Sequence, residues 1–282
     1  MHDIELRKEK WQLAIEYRYS KIDLVLQEMI LESTADNIHD FRVEIKKLKA
    51  LIRLLSFNVR NDAPPRFPKS LNNIYKSLGG LREWQIQKQK IGEAAGEMHD
   101  PAPLNYLNTI DSKMNLWKRR VRERIRHLTD LKKSFARIKG KCPEKLSPES
   151  ITGFIQTKIQ TIQHLLQNGD CDDESLHEMR KKLKDVQYIL SGTEKSDETP
   201  EDSSRLKSIQ QISADLGDFH DLYIALILLN RELKRHHEET DEKKQLRRIR
   251  DKWRAEKETL RLRTIQSTKA LIQQNFPELV RN

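Results

Sequence analysis

The sequence contains few residues that break or cross-link a chain. Its 282 residues include 9 glycines, 9 prolines and 2 cysteines. Cys142 and Cys171 form no Cys-x-x-Cys motif, so the sequence indicates neither a disulfide framework nor a thiolate metal site, and a reducing cytoplasm is expected. The longest apolar run, 222–229, is much shorter than the roughly 20 residues of a membrane-spanning helix. The first ten residues are charged from Asp3 onward, so we predict no secretory signal.

Charge is abundant, and basic residues are in excess. The chain has 53 Lys and Arg against 43 Asp and Glu, a formal net charge of +10. A basic balance favours an acidic partner, and nucleic acid, an anionic membrane surface and polyphosphate all qualify. We expect inorganic polyphosphate or another polyanion, and no membrane, as the partner.

Apolar residues recur every three or four positions between segments rich in Pro, Gly, Asn and Asp. No strand pattern competes with this periodicity, so the predicted fold class is all-α. The predicted helices lie near 3–33, 37–56, 70–91, 104–139, 149–168, 174–190, 204–236 and 241–276. The segment 191–204 is acidic and contains Pro200, which predicts a loop.

Two motifs recur at one offset of 138 positions. The aligned pairs are His39 with His177, Arg42 with Arg180, Lys46 with Lys184, Ile74 with Ile212, Leu78 with Leu216, Gly79 with Gly217 and Ile86 with Ile224. A shared offset predicts an internal repeat of about four helices per copy. We therefore expect two four-helix bundles related by a pseudo-twofold axis, 1–141 and 142–282, which together form one domain.

A basic stripe follows one face of the helix predicted to begin near His39. Its members are spaced three and four residues apart and fall within an arc of about 80°; they are His39, Arg42, Lys46, Lys49 and Arg53. A separate apolar face is predicted to form the core, with Phe41, Ile45, Leu48, Ile52 and Leu55. The stripe contains no acidic residue, whereas a solvated helix face normally mixes both signs. The sequence therefore predicts that this stripe binds a polyanion.

The second copy repeats this arrangement. Its basic stripe has His177, Arg180 and Lys184, and Gln187 interrupts the charges. Its apolar face has Met179, Leu183, Val186 and Leu190.

Two further helices, near 104–139 and 241–276, are strongly basic. The first carries eleven Lys and Arg against three acidic residues. The alternative for such a run is a solvated face held by ion pairs. Together with a residue of the second motif, these helices supply a second group of candidate ligands for a polyanion: Arg82, Arg119, Arg122, Arg126, Arg250 and Arg254.

The pattern His-x-x-Arg-x-x-x-Lys, followed 39 positions after its histidine by Leu-Gly-x-x-(Arg/His)-(Glu/Asp), occurs in both halves. In these motifs the chain resembles the CHAD family (conserved histidine α-helical domain) over nearly its whole length. The resemblance implies two four-helix bundles in pseudo-twofold arrangement, a basic central cavity, and binding of long-chain inorganic polyphosphate, often with recruitment to polyphosphate granules. Glu83, His220 and Gln187 depart from the family pattern. Two of these departures lie in the second half, so weaker binding by that half is expected.

His39 and His177 have three interpretations. Each could donate a hydrogen bond to a phosphate oxygen, make a local capping or packing hydrogen bond, or bind a metal. A metal site would need further close ligands, and only Asp40 and Glu178 are adjacent. We predict no metal and no other cofactor.

The second motif contains glycines without the Walker spacing of a phosphate loop. Gly79, Gly80 and Gly217 are therefore predicted to permit close helix packing. Glu83 and Asp221 are predicted to orient a basic side chain.

The function expected from the sequence is non-catalytic binding of inorganic polyphosphate by a cytoplasmic protein. Two alternatives remain open. An RNA-binding helical protein would have the same charge, but no groove-reading motif or RNA module is present. A role in phosphoanhydride metabolism is the other, although the Glu-x-Glu-x-Lys signature of the CYTH triphosphatases is absent, since Glu256-Lys257-Glu258 is followed at the required place by Leu260.

Overall fold

Apolar periodicity leads to helices along almost the whole chain. In a computed structural model, the described residues are 6–57, 64–128, 131–167, 171–193, 200–235 and 238–276. Their helices are α1 (Lys8–Leu31), α2 (Ala35–Phe57), α3 (Lys69–Glu97), α4 (Leu104–Arg126), α5 (Leu131–Gly140), α6 (Pro148–Gln167), α7 (Asp173–Thr193), α8 (Pro200–Arg235) and α9 (Asp241–Asn275). The predicted all-α class is confirmed.

The helix predicted over 104–139 is divided into α4 and α5. Residues 129–130 lie outside the described part of the chain. The division lets α5 bury Phe135 and Ile138 in the core beside α1, where Phe135 and Tyr19 have ring centroids 4.9 Å apart. Packing against α1 therefore determines a break that the basic sequence of this region does not signal.

Two other predicted boundaries also differ from the structure. Helix α3 continues to Glu97, through a segment predicted to break it, because Ile91 and Ala94 are buried there against neighbouring helices. The predicted loop 191–204 is helical at both ends, since α7 reaches Thr193 and α8 begins at Pro200. Proline is tolerated in the first turn of a helix. The centre of this predicted loop, 194–199, lies outside the described residues.

A short strand pair was not expected from the sequence. Strand β1 (Leu6–Arg7) pairs antiparallel with strand β2 (Lys145–Leu146). With two residues in each strand, it is too short for an alternating apolar pattern to be recognised. The pair attaches the start of α1 to the segment that precedes α6.

The buried apolar residues form three clusters. The first lies mainly among α1, α2, α5 and the N-terminal part of α3. The second joins α6, α7, the N-terminal part of α8 and the C-terminal part of α9. The third lies where the C-terminal parts of α3 and α8 meet the N-terminal parts of α4 and α9. Helices α3 and α8 therefore each contribute to two clusters.

Contacts between the predicted halves are extensive. Helix α2 packs on α7, and α3 packs on α8. Leu146 and Phe154, which follow the predicted boundary at 141/142, are buried in the first cluster. The division into two four-helix bundles, 1–141 and 142–282, stays a prediction.

Among the described helices, none combines the length and the apolar character needed to cross a membrane.

Candidate functional site

The helices that carry the repeated motifs enclose a cavity of about 600 Å³. Helices α2, α3, α7 and α8 supply most of its wall, and α6 adds Lys158. Ten Lys and Arg side chains line it against three carboxylates. The cations are Arg42, Lys46, Lys49, Arg53, Arg82, Lys158, Arg180, Lys181, Lys182 and Lys184, and the acids are Glu83, Asp185 and Asp221. The cavity is therefore strongly cationic.

Nine of the residues predicted from the sequence line this cavity. They are His39, Arg42, Lys46, Lys49, Arg53, Arg82, His177, Arg180 and Lys184. The other five lie outside its wall, on α4 and α9; they are Arg119, Arg122, Arg126, Arg250 and Arg254. The structure thus brings the two repeated stripes together and leaves the two basic helices apart from them.

Opposite faces of α2 and α7 account for this convergence. The predicted apolar face of α2 is buried, with Phe41, Ile45, Leu48, Ile52 and Leu55 each at most 6% exposed. On α7, Met179, Leu183 and Val186 are fully buried and Leu190 is partly buried. Because each core face points away from the shared cavity, the basic stripe of each helix lines it. The predicted core faces are confirmed.

The glycines of the second motif lie beside the arginines of the first, and Gly79 makes room for Arg42. A Cβ atom on Gly79 would lie 3.0 Å from Nη1 of Arg42, and one on Gly217 would lie 4.0 Å from Nε and Nη2 of Arg180. Close helix packing, the predicted role, fits the neighbouring Gly80 better, since its Cβ would lie 2.6 Å from the Trp117 ring. In the first half, Gly79 therefore allows the Arg42 side chain to lie along the surface of α3, whereas a Cβ on Gly217 would make an ordinary contact with Arg180.

Six of the ten cavity cations make no ion pair with any residue that the structure describes. They are Arg42, Lys46, Lys49, Arg82, Arg180 and Lys184. Their polar contacts are neutral: Arg42 donates to the Tyr75 carbonyl (3.3 Å), Lys49 to Asn72 Oδ1 (2.8 Å) and Lys184 to Gln187 Oε1 (2.9 Å). The buried Nε of Arg180 has no partner among the described residues. These six residues all belong to the set predicted from the sequence.

Burial and mutual repulsion lower the pKa of the cavity lysines. The pKa of Lys46 falls to about 7 because the side chain is desolvated and lies near Arg180, Arg42 and Lys184. Desolvation likewise lowers the pKa of Lys49 and of Lys184 to about 8. The charged form of these lysines is therefore unfavourable in the free protein, and a bound anion would stabilise it.

Aromatic rings partly compensate for the missing anions. The Arg42 guanidinium lies 4.8 Å and the Lys49 ammonium 4.1 Å from the Tyr75 ring centroid. Lys184 lies 5.9 Å from the centroid of Tyr188. Such cation–π contacts contribute about 0.5–2 kcal/mol each, which is less than a close anion would supply.

Asp185 neutralises one end of the cavity. This carboxylate is 5% exposed and receives hydrogen bonds from Nε (2.8 Å) and Nη2 of Arg53, which joins α2 to α7. Lys158 of α6 lies 3.6 Å from the same carboxylate. The position equivalent to Asp185 in the first half is Lys47, so this acidic contact belongs to one half only.

The histidines are held in their neutral form. Burial is the main cause that lowers the pKa of His39, of His177 and of His220, the last to about 3. The Nδ1 atoms of His177 and His220 are 3.2 Å apart and their rings stack at 4.6 Å, so His177 makes the packing contact considered above. His39 lines the cavity without such a contact among the described residues. No described group of three His, Cys, Asp or Glu side chains is placed to hold a metal.

Glu83 is exposed and Asp221 is partly buried, and neither makes a hydrogen bond or ion pair within the described structure. Desolvation raises the pKa of both carboxyls, and the main opposing effects come from Arg42 on Glu83 and from Arg180 on Asp221. The predicted orienting contact to a basic side chain is therefore absent here. These two acids act on the arginines through charge at longer range.

Three lysines of the wall were not predicted from the sequence. Lys181 and Lys182 flank the stripe on α7 and each pairs with Glu178. Their place in a basic run directly after Arg180 was an available signal. Lys158 is the single Lys or Arg of α6, and no pattern there marks it.

The two basic helices outside the cavity differ in how their charges are compensated. On α9, Arg250 lies 2.8 Å and Arg254 3.6 Å from the Asp251 carboxylate. On α4, Arg119, Arg122 and Arg126 are exposed and make no ion pair with a described residue. The solvated, ion-paired interpretation therefore fits α9. The binding roles predicted for these five arginines stay predictions.

Comparison with known proteins agrees with this geometry. A search of curated proteins found no match. The solved structure of the CHAD domain from the plant Ricinus communis superimposes with a TM-score of 0.72 at 16% sequence identity, covering 97% of this chain and 94% of that one. The family model for the CHAD domain matches residues 14–230, which include both repeated motifs and the whole cavity wall. The chain belongs to the CHAD domain family.

Proposed function

We propose that this protein binds inorganic polyphosphate in its cationic cavity without catalysing a reaction. The observation that carries the proposal is the convergence of ten Lys and Arg side chains on one cavity, six of them without an ion pair among the described residues. Such an arrangement is unfavourable in the free protein and becomes favourable when a polyanion enters. We also propose that the two cavity-lining stripes belong to two four-helix bundles related by pseudo-twofold symmetry.

A flexible chain of phosphates suits this wall. Successive cations on α2 and α7 are about one helical turn apart, roughly 5–6 Å. A polyanion with a charge on each phosphate can therefore contact several of them at once. Each charge-assisted hydrogen bond adds to the others, so affinity grows through multivalency.

Competition between polyanions tests this function. We expect long-chain polyphosphate to displace a labelled polyphosphate at much lower charge concentration than RNA, because its phosphates follow one another directly, without sugars and bases between them, and can contact cations at successive helical turns. The measurement is a competition titration with orthophosphate, tripolyphosphate, long-chain polyphosphate and RNA at one ionic strength. RNA that competes as well as polyphosphate of equal total charge would support a nucleic-acid-binding protein instead. Release of orthophosphate from polyphosphate in the presence of magnesium would show an enzyme.

Affinity should fall as the pH rises from 6.5 to 9. In the free protein Lys46, with a pKa of about 7, and Lys49 and Lys184, with pKa values of about 8, lose their protons across this interval. A bound polyanion favours the charged forms, so binding at higher pH must take up protons. This costs up to about tenfold in affinity per pH unit for each such lysine. Calorimetry in buffers of different ionisation enthalpy measures the proton uptake, and proton release on binding would contradict the assignment.

In the ligand-free protein, the same lysines should make the free energy of unfolding rise with pH, whereas the affinity for polyphosphate falls. Their pKa values in the folded protein lie below the ordinary 10.5, so the unfolded chain holds more protons between about pH 7 and 10. The free energy of unfolding therefore rises with pH across this window. A thermal melt at each pH of the titration records this contribution beside the affinity.

We propose a cytoplasmic location for this binding activity. In a cell that stores polyphosphate in granules, the cavity would hold the protein on them.

A further inference from the structure

A second opening adjoins the cationic cavity on the side of the first half. It is a groove of about 430 Å³ between the C-terminal part of α2 and the start of α3. Its wall consists of Lys49, Ile52, Arg53, Phe67, Lys69 and Asn72. Lys49 and Arg53 line both the groove and the cavity, so the two spaces meet at these side chains.

Lys49 lies at this junction. Its ammonium group is 4.1 Å from the centroid of Tyr75, which lines the cavity, and 4.8 Å from the centroid of Phe67, which lines the groove. It also donates a 2.8 Å hydrogen bond to Asn72 in the groove wall. Arg53 presents its Nε and Nη2 to Asp185, which leaves Nη1 outside that ion pair. A phosphate chain that passes from the cavity into the groove would therefore contact Lys49 and Arg53 at the junction.

The second half does not repeat these charges. At the offset of 138, the positions equivalent to Lys49, Arg53 and Lys69 are Gln187, Ser191 and Lys207. Two of the three cations are thus replaced by neutral side chains. The wall lysines that only the second half supplies, Lys158, Lys181 and Lys182, are each paired with Asp185 or Glu178. The cations without an acidic partner therefore continue out of the cavity on the first-half side.

We propose that long polyphosphate leaves the cavity through this groove, with Lys69 as a contact beyond the cavity wall. The inference rests on the proposed function and adds a direction to it. Short polyphosphates are held by the cavity alone, whereas long ones gain the additional contacts of the groove. Lys69 therefore contributes to discrimination between chain lengths.

The test compares Lys69→Glu with Lys207→Glu. Both lysines are exposed, occupy equivalent positions in the repeat and change the net charge equally. Lys69 is the first residue of α3, where a glutamate is compatible with the helix dipole, so the fold should be retained. A third variant, Lys69→Arg, keeps the charge and should bind as the unsubstituted protein does.

We expect Lys69→Glu to weaken binding of long-chain polyphosphate about tenfold, the effect of one charge-assisted contact, and to leave tripolyphosphate binding nearly unchanged. Lys207→Glu should change neither by more than about threefold, since an exposed distant charge is screened. Equal losses from the two variants, or an equal loss for tripolyphosphate and long chains in Lys69→Glu, would overturn the groove alone. Failure of the unsubstituted protein to bind any polyphosphate would instead overturn the proposed function and the groove with it.

Discussion

Replacing Arg42, Lys46, Arg180 and Lys184 together by glutamine should weaken polyphosphate binding by at least about a hundredfold. Each of these side chains lines the cavity, and none has an ion pair with a described residue. A hydrogen bond to a charged group contributes about 1.5–3 kcal/mol, and 1.4 kcal/mol is a factor of ten in affinity. Four such contacts are not additive, so the expected loss lies well below their sum. Glutamine retains most of the side-chain length and thereby limits the loss of packing.

The matched control removes four cations from the outer surface of α4 and α5. Arg119, Arg122, Arg126 and Lys132 are exposed, lie outside the cavity wall and form no ion pair in the described structure. Their replacement by glutamine changes the net charge by the same amount and should weaken binding by less than about tenfold. Titration of both variants at one ionic strength gives the comparison. Equal losses would mean that polyphosphate is attracted by net charge over the whole surface, and a larger loss from the control would place the site on α4.

Affinity should depend steeply on salt and on the length of the polyphosphate. Six unpaired cavity cations can each neutralise a phosphate and release condensed counterions. For DNA, six to ten phosphate contacts correspond to a loss of roughly 10³–10⁵ in affinity between 50 and 200 mM salt. For long-chain polyphosphate and six contacts, we expect affinity to fall by roughly 10³ over the same salt range. Orthophosphate and tripolyphosphate reach only part of the two stripes and should bind far more weakly.

Titrations with chains of increasing length, each at several salt concentrations, measure both dependences. The slope of log affinity against log salt should become steeper with chain length until the cavity and its groove are filled. Tripolyphosphate that binds as tightly as long chains would indicate a compact pocket for one short anion. Binding that ignores salt would show that charge neutralisation does not drive it.

The helices could be predicted from sequence because their signals are local. The stripes of α2 and α7 depend on three- and four-residue spacing, and their apolar faces are buried as that spacing predicts. The break between α4 and α5 depends instead on the fit of Phe135 and Ile138 against α1. Strands β1 and β2 pair residues far apart in the chain, which a local pattern does not record.

The residues of the candidate site likewise include some that the sequence could predict and some that it could not. Helical spacing, repeated at a constant offset, identified the cavity residues on α2 and α7, because these helices turn equivalent faces toward one cavity, and the second motif added Arg82. It could not identify Lys158 or Asp185, whose neighbours come from other helices and have no counterpart in the repeat. Charge density alone also grouped α4 with α9. Only the positions of Asp251 and the other carboxylates distinguish the ion-paired helix from the unpaired one.

Helices α3 and α8 couple the unfolding of the three apolar clusters. The N-terminal part of each belongs to the core of its own half, and the C-terminal parts meet in the third cluster beside Trp253 and Tyr106. Loss of any one cluster therefore frays a helix that supports another. Disruption spreads between clusters in this way, so heat or denaturant should unfold the described helices in one cooperative transition. A fragment ending at residue 141 would lack half of the third cluster and one wall of the cavity, so neither half of the repeat retains the site by itself.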